Sequence, residues 1–406
     1  MEKQSIRKTD FPIQGTWSAD HLKEFSERAH VLEKVSSEFK IIVSDLRDFL
    51  EQTKYDLDAE ELRISPEERR WGLSRHVELV DIVKRIVAKY MDQAFSKLNK
   101  IVACFTLAEH TLHRNYFQRN LHPLLLHSPF VSRAYFKPLG YPGDYQMMNM
   151  IYGDHNQGDS LFAQLINRYS CSAPAARAVE GRVPFLLQKF NHTIKRVLKE
   201  RETATFLSIG SGPAREIQEL IATDTDSDRC HVNLIDMLPE ALFYCQEKIL
   251  DLKMATGSRV KVDYFNRSAR DFIRFSHSLD TLKGQDLIYA IGLFDYLPFH
   301  IAKRVIQNLY PLLAEGGELI VGNFDISNPT RFYMEYALDW YLLHRDREEM
   351  LRLAEELPFS ASSSIITGEE GVQLYLIIEK GEKSGGPLCR KKSGKFFTWE
   401  NQRTLP

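Results

Sequence analysis

The stretch FLSIGSGPAREI, residues 206–217, decides the fold. A short apolar strand ends at Ile209, Gly210 and Gly212 let the backbone turn tightly beneath a bulky ligand, and PAREIQEL opens a helix. The first turn of such a helix projects free N–H groups and the positive end of its dipole toward whatever sits above it. A second strand, HVNLID, ends at Asp236, 24 residues beyond Gly212, where a carboxylate can accept hydrogen bonds from ribose hydroxyls. Turn and acid together predict a nucleoside site. A dinucleotide site would prefer a third glycine at the helix start, but Ala214, Arg215 and Glu216 follow Pro213 here, and Glu216 facing the ligand would repel a pyrophosphate.

Working outward, TFLSIG, HVNLID, RVKVDYF, DLIYAIG and ELIVGNF are short apolar runs separated by helix-like intervals. That alternation predicts parallel strands joined by crossover helices. SASSSII and VQLYLIIEK, with TGEEG between them, predict an antiparallel hairpin closing the sheet. Toward the N-terminus the texture differs. From Ser18 to about Asn120 apolar residues recur at three and four spacings, the pattern of long amphipathic helices, with a fresh helix start at Ser65 and Pro66. The division expected is a flexible lead-in at 1–15, a helical domain at 16–130, connector and pocket helices at 131–200, a nucleoside-binding domain at 201–380 and a tail at 381–406.

Composition limits the function classes. The 406 residues carry 53 basic and 55 acidic side chains, a net charge of −2, so a nucleic-acid partner is not expected. Five scattered cysteines without a Cys-x-x-Cys pair predict reduced thiols in a cytoplasmic protein. No apolar run reaches the length of a membrane span or a secretion signal. His110, His113, His122 and His127 lack the companions of a metal site, so no metal is predicted. The amphipathic helices offer a surface for self-association as a homo-oligomer.

Taken in order, these motifs resemble the class I S-adenosylmethionine-dependent methyltransferases. SIGSGPA is similar to their glycine-rich motif, with Ser208 where an acid is common; LIDML supplies the ribose acid, and DLIYAIGLFDYLP and YPLLAEGGELIVGNF resemble their fourth-strand and fifth-strand segments. The resemblance covers about 200–380 and implies a Rossmann-like seven-stranded sheet ending in an antiparallel hairpin, with S-adenosylmethionine as cofactor. It implies that Gly210 and Gly212 approach the methionyl portion, that Asp236 binds ribose, that Met237 packs near adenine and that Arg270 or Asp271 adds a polar contact. Gly292 would lie beneath the sulfonium. Over about 100–380 the chain also resembles bacterial proteins assigned to biosynthesis of the extracellular factor 3-hydroxypalmitate methyl ester, which implies O-methylation of a carboxyl group on a small or lipid-like substrate.

Methyl transfer to oxygen or nitrogen is an in-line displacement, so the acceptor must be aligned and, for a phenol or amine, deprotonated. Ligands of such sheets sit beyond the carboxyl ends of the strands, which directs attention to Asp295, Tyr296 and His300, and to Asn323, Asp325, Arg331 and Tyr333. Arg331 could hold a carboxylate bidentately, or else form a fold-stabilising salt bridge. Tyr336, Trp340 and Tyr341 are a pocket wall or helix packing.

FKPLGYPGDYQMMNMIYG, 136–153, reads as too broken for an ordinary helix. Pro138, Gly140, Pro142 and Gly143 predict turns that hold Tyr141, Asp144 and Tyr145 over the site as a lid, or else a packed connector. An N-methyltransferase acting on an amine or a protein side chain, and a non-catalytic interaction protein that kept the cofactor fold, are the alternatives to O-methylation.

Overall fold

The computed structural model describes residues 34–63, 74–274 and 277–381, with side chains from 34–63, 81–274 and 279–381. The lead-in at 1–15, the helix start at Ser65 and Pro66, and all but the first residue of the tail lie outside the described residues.

The chain runs through α1 (Ser37–Arg63), α2 (Ser74–Val102), α3 (Leu107–Leu125), α4 (Pro129–Phe136), α5 (Tyr145–Tyr152), α6 (Leu161–Cys171) and α7 (Pro174–Val197) before the first strand. Local chemistry sets several of these boundaries. Thr106 and Glu109 form a reciprocal capping box that starts α3, and Ser128 caps the Val131 N–H with Pro129 in the first helical position of α4.

Then come β1 (Ala204–Ile209), α8 (Arg215–Thr223), β2 (Cys230–Asp236), α9 (Pro239–Thr256), β3 (Lys261–Asn266), α10 (Ala269–Ile273), β4 (Gln285–Ile291), α11 (Phe299–Leu309), β5 (Leu313–Phe324), α12 (Arg331–Tyr336), α13 (Arg347–Arg352), β6 (Ala361–Thr367) and β7 (Gln373–Lys380). The seven strands lie in the order β3-β2-β1-β4-β5-β7-β6. Four ladders are parallel, and β7 runs antiparallel to both β5 and β6. The mixed sheet with its terminal hairpin is the expected one.

Burial follows strand position. β4 is almost wholly buried, as a strand covered by helices on both faces must be, and its run QDLIYAI shows no polar alternation. β6 sits at an edge, where the serines of SASSSII tolerate water. One face of the sheet packs on the C-terminal half of α7 with α8 and α9; the other packs on α10, α11 and α13.

A third core belongs to the helical body. It joins Phe39, Leu46, Phe117 and Phe162 to residues following β5: Phe332, Tyr333 and Tyr336. α7 serves both bodies, since Ala175 to Val179 enter the helical core and Leu186 to Val197 the sheet core. Among the described residues no helix is long and apolar enough to cross a membrane.

Candidate active site

A cavity of about 400 Å³ opens at the carboxyl ends of β1, β2 and β4 and continues beneath the helical body. Its floor is the turn after β1. Gly210, Gly212 and Ala214 all have positive φ, at 70°, 52° and 50°, and the Gly210 and Ser211 N–H groups donate to the Ile235 carbonyl. Glycine takes this conformation freely, whereas Ala214 pays roughly 1–2 kcal/mol for it. A Cβ added at Gly212 would meet nothing within 4 Å. Space for a ligand is therefore left directly over the turn.

Asp236 ends β2 and is buried. Its Oδ2 accepts the Gly212 N–H at 2.9 Å and its Oδ1 the Leu238 N–H at 2.9 Å, so one carboxylate ties two loops together. The Met237 N–H is a third backbone donor to this carboxylate, which leaves acceptor capacity for a ligand hydroxyl. Burial pushes the acid above the usual carboxylate range, and the backbone donors oppose that shift. Met237, 58% exposed, and Ser268 and Ala269 of the 268–272 segment border the same end of the cavity. Arg270 is exposed and does not line the cavity, and Asp271 accepts the Ser268 N–H at 2.9 Å as part of a capping box.

Beyond β4, Gly292 has φ 108° and lines the cavity, as do Asp295 and Tyr296. Asp295 is fully buried; its Oδ1 accepts the Phe324 N–H at 2.7 Å. Burial pushes its carboxyl up to about 6, held from rising further by the Arg182 charge, the Phe324 N–H and the Arg345 charge. The Tyr296 hydroxyl accepts the Trp340 indole N–H at 2.9 Å. Tyr141 reaches the cavity from the 137–144 connector, and burial first, then the Asp236 charge, raises its phenol.

Three expectations take a different place. Arg331 opens α12 with its side chain 49% exposed, bonds Glu335 at 2.7 Å and does not line the cavity. Asp144 is buried away from the cavity: its two oxygens hold Arg133 at 3.0 and 2.8 Å and it caps the Met147 N–H, so it starts α5. The second half of 136–153 is therefore an ordinary short helix, its Met147 and Ile151 turned into the core. Among the aromatic candidates, Tyr336 packs in the helical core, Trp340 lines the cavity and Tyr341 contacts Arg114 at the surface. His110, His113 and His122 bond Tyr336 Oη, the Glu109 carbonyl and the Ala337 carbonyl, and no group of three metal-ligating side chains occurs among the described residues.

Arg182 and Arg267 line the cavity without having been singled out from the sequence, and Glu216 was named there only as an acid that would repel a pyrophosphate if it faced the ligand. Ser208 is buried and lines the cavity in register with Tyr289 of β4, whose hydroxyl donates to Glu216 Oε1 at 2.8 Å. Glu216 stands in the first turn of α8, buried and with its carboxyl raised by that burial. Arg182 of α7 donates from Nε and Nη2 to Gln373 Oε1 at 3.2 and 2.9 Å. A readable signal existed for Arg182: it lies on the apolar stripe of α7 with Ala175, Ala178, Val179 and Leu186, where a solvated arginine has no place.

No protein-family model matches the chain, and no curated protein matches it. Among solved structures it is similar to a possible exported protein from Bordetella parapertussis (14% identity, 78% of this chain and 99% of that one, TM-score 0.44). It is also similar to magnesium protoporphyrin IX methyltransferase from Synechocystis PCC 6803 with bound S-adenosylhomocysteine (11% identity, 62% and 98%, TM-score 0.41). A third is the N-methyltransferase NodS from Bradyrhizobium japonicum WM9 in complex with S-adenosylhomocysteine (15% identity, 59% and 98%, TM-score 0.34). With identities and scores this low, the fold assignment rests on the strand order and register, and the chemistry on the residues of the cavity.

Proposed function

We propose that this chain is an S-adenosylmethionine-dependent methyltransferase whose acceptor is an oxygen, namely the carboxyl group of a small or lipid-like metabolite. One observation carries the reading. The cavity runs without interruption from the Asp236 carboxylate and the open glycine turn to an apolar wall supplied by the helical body, including Phe130, Met148, Ile151 and Val179. A ligand with a ribose suits the first end and an apolar acceptor the second.

The residues fit the cofactor. Asp236 would hold the ribose hydroxyls, Gly210 and Gly212 leave room for the methionyl chain, and Met237 offers an apolar surface to the adenine. When bound, the cofactor supplies an electrophilic methyl group on a sulfonium. The chain excludes water through the helical wall and aligns the acceptor beside Tyr141 and Tyr296. A carboxylate acceptor is already ionised at neutral pH and asks for alignment rather than a base. Asp295, half-way between acid and base near pH 6, is the group that would take a proton from a hydroxyl acceptor instead.

The test is incubation with methyl-labelled S-adenosylmethionine and a bacterial small-molecule extract, followed by mild alkali. A methyl ester loses its label as methanol under alkali. Label that survives in an amine would replace the carboxyl reading by N-methylation, and absence of both cofactor binding and labelled product would overturn the enzyme reading.

A further inference from the structure

The turn after β4 brings Asp295 and Tyr296 to the cavity, and residues 294–297 are each held by one later segment of the chain, 340–345. Arg345 Nη1 donates to the Phe294 carbonyl at 2.8 Å and Nη2 to the Leu297 carbonyl, so a single guanidinium brackets the Asp295 and Tyr296 pair from both sides. Between those two points the Leu343 N–H donates to the Asp295 carbonyl at 2.7 Å, and the Trp340 indole N–H to the Tyr296 hydroxyl at 2.9 Å. Arg345 is itself anchored to the end of β5: its backbone N–H donates to the Phe324 carbonyl at 3.0 Å, and Nη1 also reaches Asn323 Oδ1. Phe324 in turn donates its N–H to Asp295 Oδ1, which closes the circuit.

Arg345 is 4% exposed, and its side chain bonds two carbonyls and one amide, all neutral. Burying a cation against neutral oxygens is costly, and an apolar residue would fill the same space more cheaply. What the guanidinium adds is geometry, since its planar fork reaches carbonyls on both sides of a dipeptide and an ammonium is a single point of donation. Its charge also acts on Asp295, opposing the effect of burial on that carboxyl. The holding segment faces the acceptor end as well. Leu338, Trp340 and Leu342 line the cavity, while Phe332 and Tyr336 of the preceding α12 sit in the helical core. One stretch of chain therefore builds part of the acceptor wall and fixes the two polar groups beside it.

Resting on the methyl-transfer reading above, we propose that Arg345 is a positioning residue for the reaction: it fixes the turn after β4 so that the Asp295 carboxyl and the Tyr296 hydroxyl keep one place beside the acceptor. Arg345 does not line the cavity and acts only through that turn. Held at its carbonyls, the turn leaves the Asp295 and Tyr296 side chains to face the acceptor without spending either on the holding contact with Arg345.

The Trp340 indole N–H reports the hold directly, because it donates to Tyr296. In protein labelled with ¹⁵N at tryptophan, W340F identifies that signal and Y296F shows where it moves when the acceptor hydroxyl is lost. R345M should move it in the direction that Y296F does. Alkali-labile methyl transfer from labelled S-adenosylmethionine in the bacterial extract should fall about 100-fold, the cost of misplacing reacting groups by roughly 1 Å. R345K keeps the charge without the fork, so both its signal and its turnover should lie between those of R345M and the unmodified protein. S-adenosylhomocysteine affinity, measured by calorimetry, should stay within about threefold in both variants, which also reports that they are folded. An unmoved Trp340 signal, or turnover within about twofold of the unmodified protein, would overturn the positioning role; should R345M not fold, R345K decides by the same criteria. Affinity lost in step with turnover would overturn it too, since Arg345 would then support the cavity as a whole. Failure of the unmodified protein to bind S-adenosylhomocysteine would overturn the cofactor reading instead, and the Trp340 signal would still read the hold on the turn.

Discussion

Asp295 makes a prediction that needs no substrate. Its folded carboxyl sits at about 6 against an ordinary 3.8, so the folded state keeps a proton that the unfolded chain has already released. Its contribution to stability is fully present below about pH 4 and is lost as pH rises through about 6, a change of about 3 kcal/mol for a shift of this size. Asp295→Asn keeps an acceptor for the Phe324 N–H and carries no charge. Urea unfolding should therefore find the variant little changed near about pH 3.5 and about 1–3 kcal/mol more stable than the unmodified protein near about pH 8. A difference independent of pH would mean that Asp295 ionises as an ordinary surface acid does. Residues of this kind divide by how much of their role is local. Asp236 was readable because a strand end and a glycine turn at fixed spacing define it. Glu216 was only half readable: its place after the glycine turn let it face a ligand, but its burial arises where α8 meets β4. Arg331 drew attention by lying after a strand, while Arg182, one of two arginines that line the cavity, comes from a helix before the sheet begins.

At the scale of elements, the connector between α4 and α5 is a strap fastened at several points. Lys137, in the left-handed region with φ 49°, bonds Asp339 at 2.5 Å; Asp144 holds Arg133 and caps α5; Tyr145 packs its ring 5.5 Å from that of Tyr244 on α9. Gly143 is where the strap meets the sheet loops, because a Cβ there would stand 2.8 Å from both Trp340 and the Tyr296 hydroxyl. Gly143→Ala should push Tyr141 and Tyr296 apart, reducing acceptor turnover more than S-adenosylhomocysteine affinity; unchanged turnover would show that the strap yields without moving them. Asp144→Ala removes a cap and leaves Arg133 without its buried partner, so thermal or urea unfolding should register a loss of about 3 kcal/mol or more. A loss below about 1 kcal/mol would mean that water replaces the carboxylate. The strands and hairpin were legible because apolar run length and edge serines are local signals. The strap was only half legible: its prolines and glycines announced the turns, but the helix YQMMNMIY depends on an N-cap whose other bonds come from Arg133.

The molecule as a whole is a helical body and a sheet body sharing one cavity, connected by α7 and by the segment after β5 that returns Phe332 and Tyr336 to the helical body. A ligand spanning the cavity should tighten both. Hydrogen exchange with S-adenosylhomocysteine present should slow at the 210–214 turn and across 137–144 together; protection confined to the turn would place the strap outside the binding event. The sheet order also sets a timetable. Gln373, which orients Arg182, opens β7, and β7 is the final strand of the sheet in chain order although it lies inside the sheet between β5 and β6. During synthesis the glycine turn, Asp236 and Glu216 emerge long before the residue that aims the arginine. A nascent chain can thus build the Asp236 end of its cavity early, yet it cannot present the complete cavity until the closing hairpin has slotted into place.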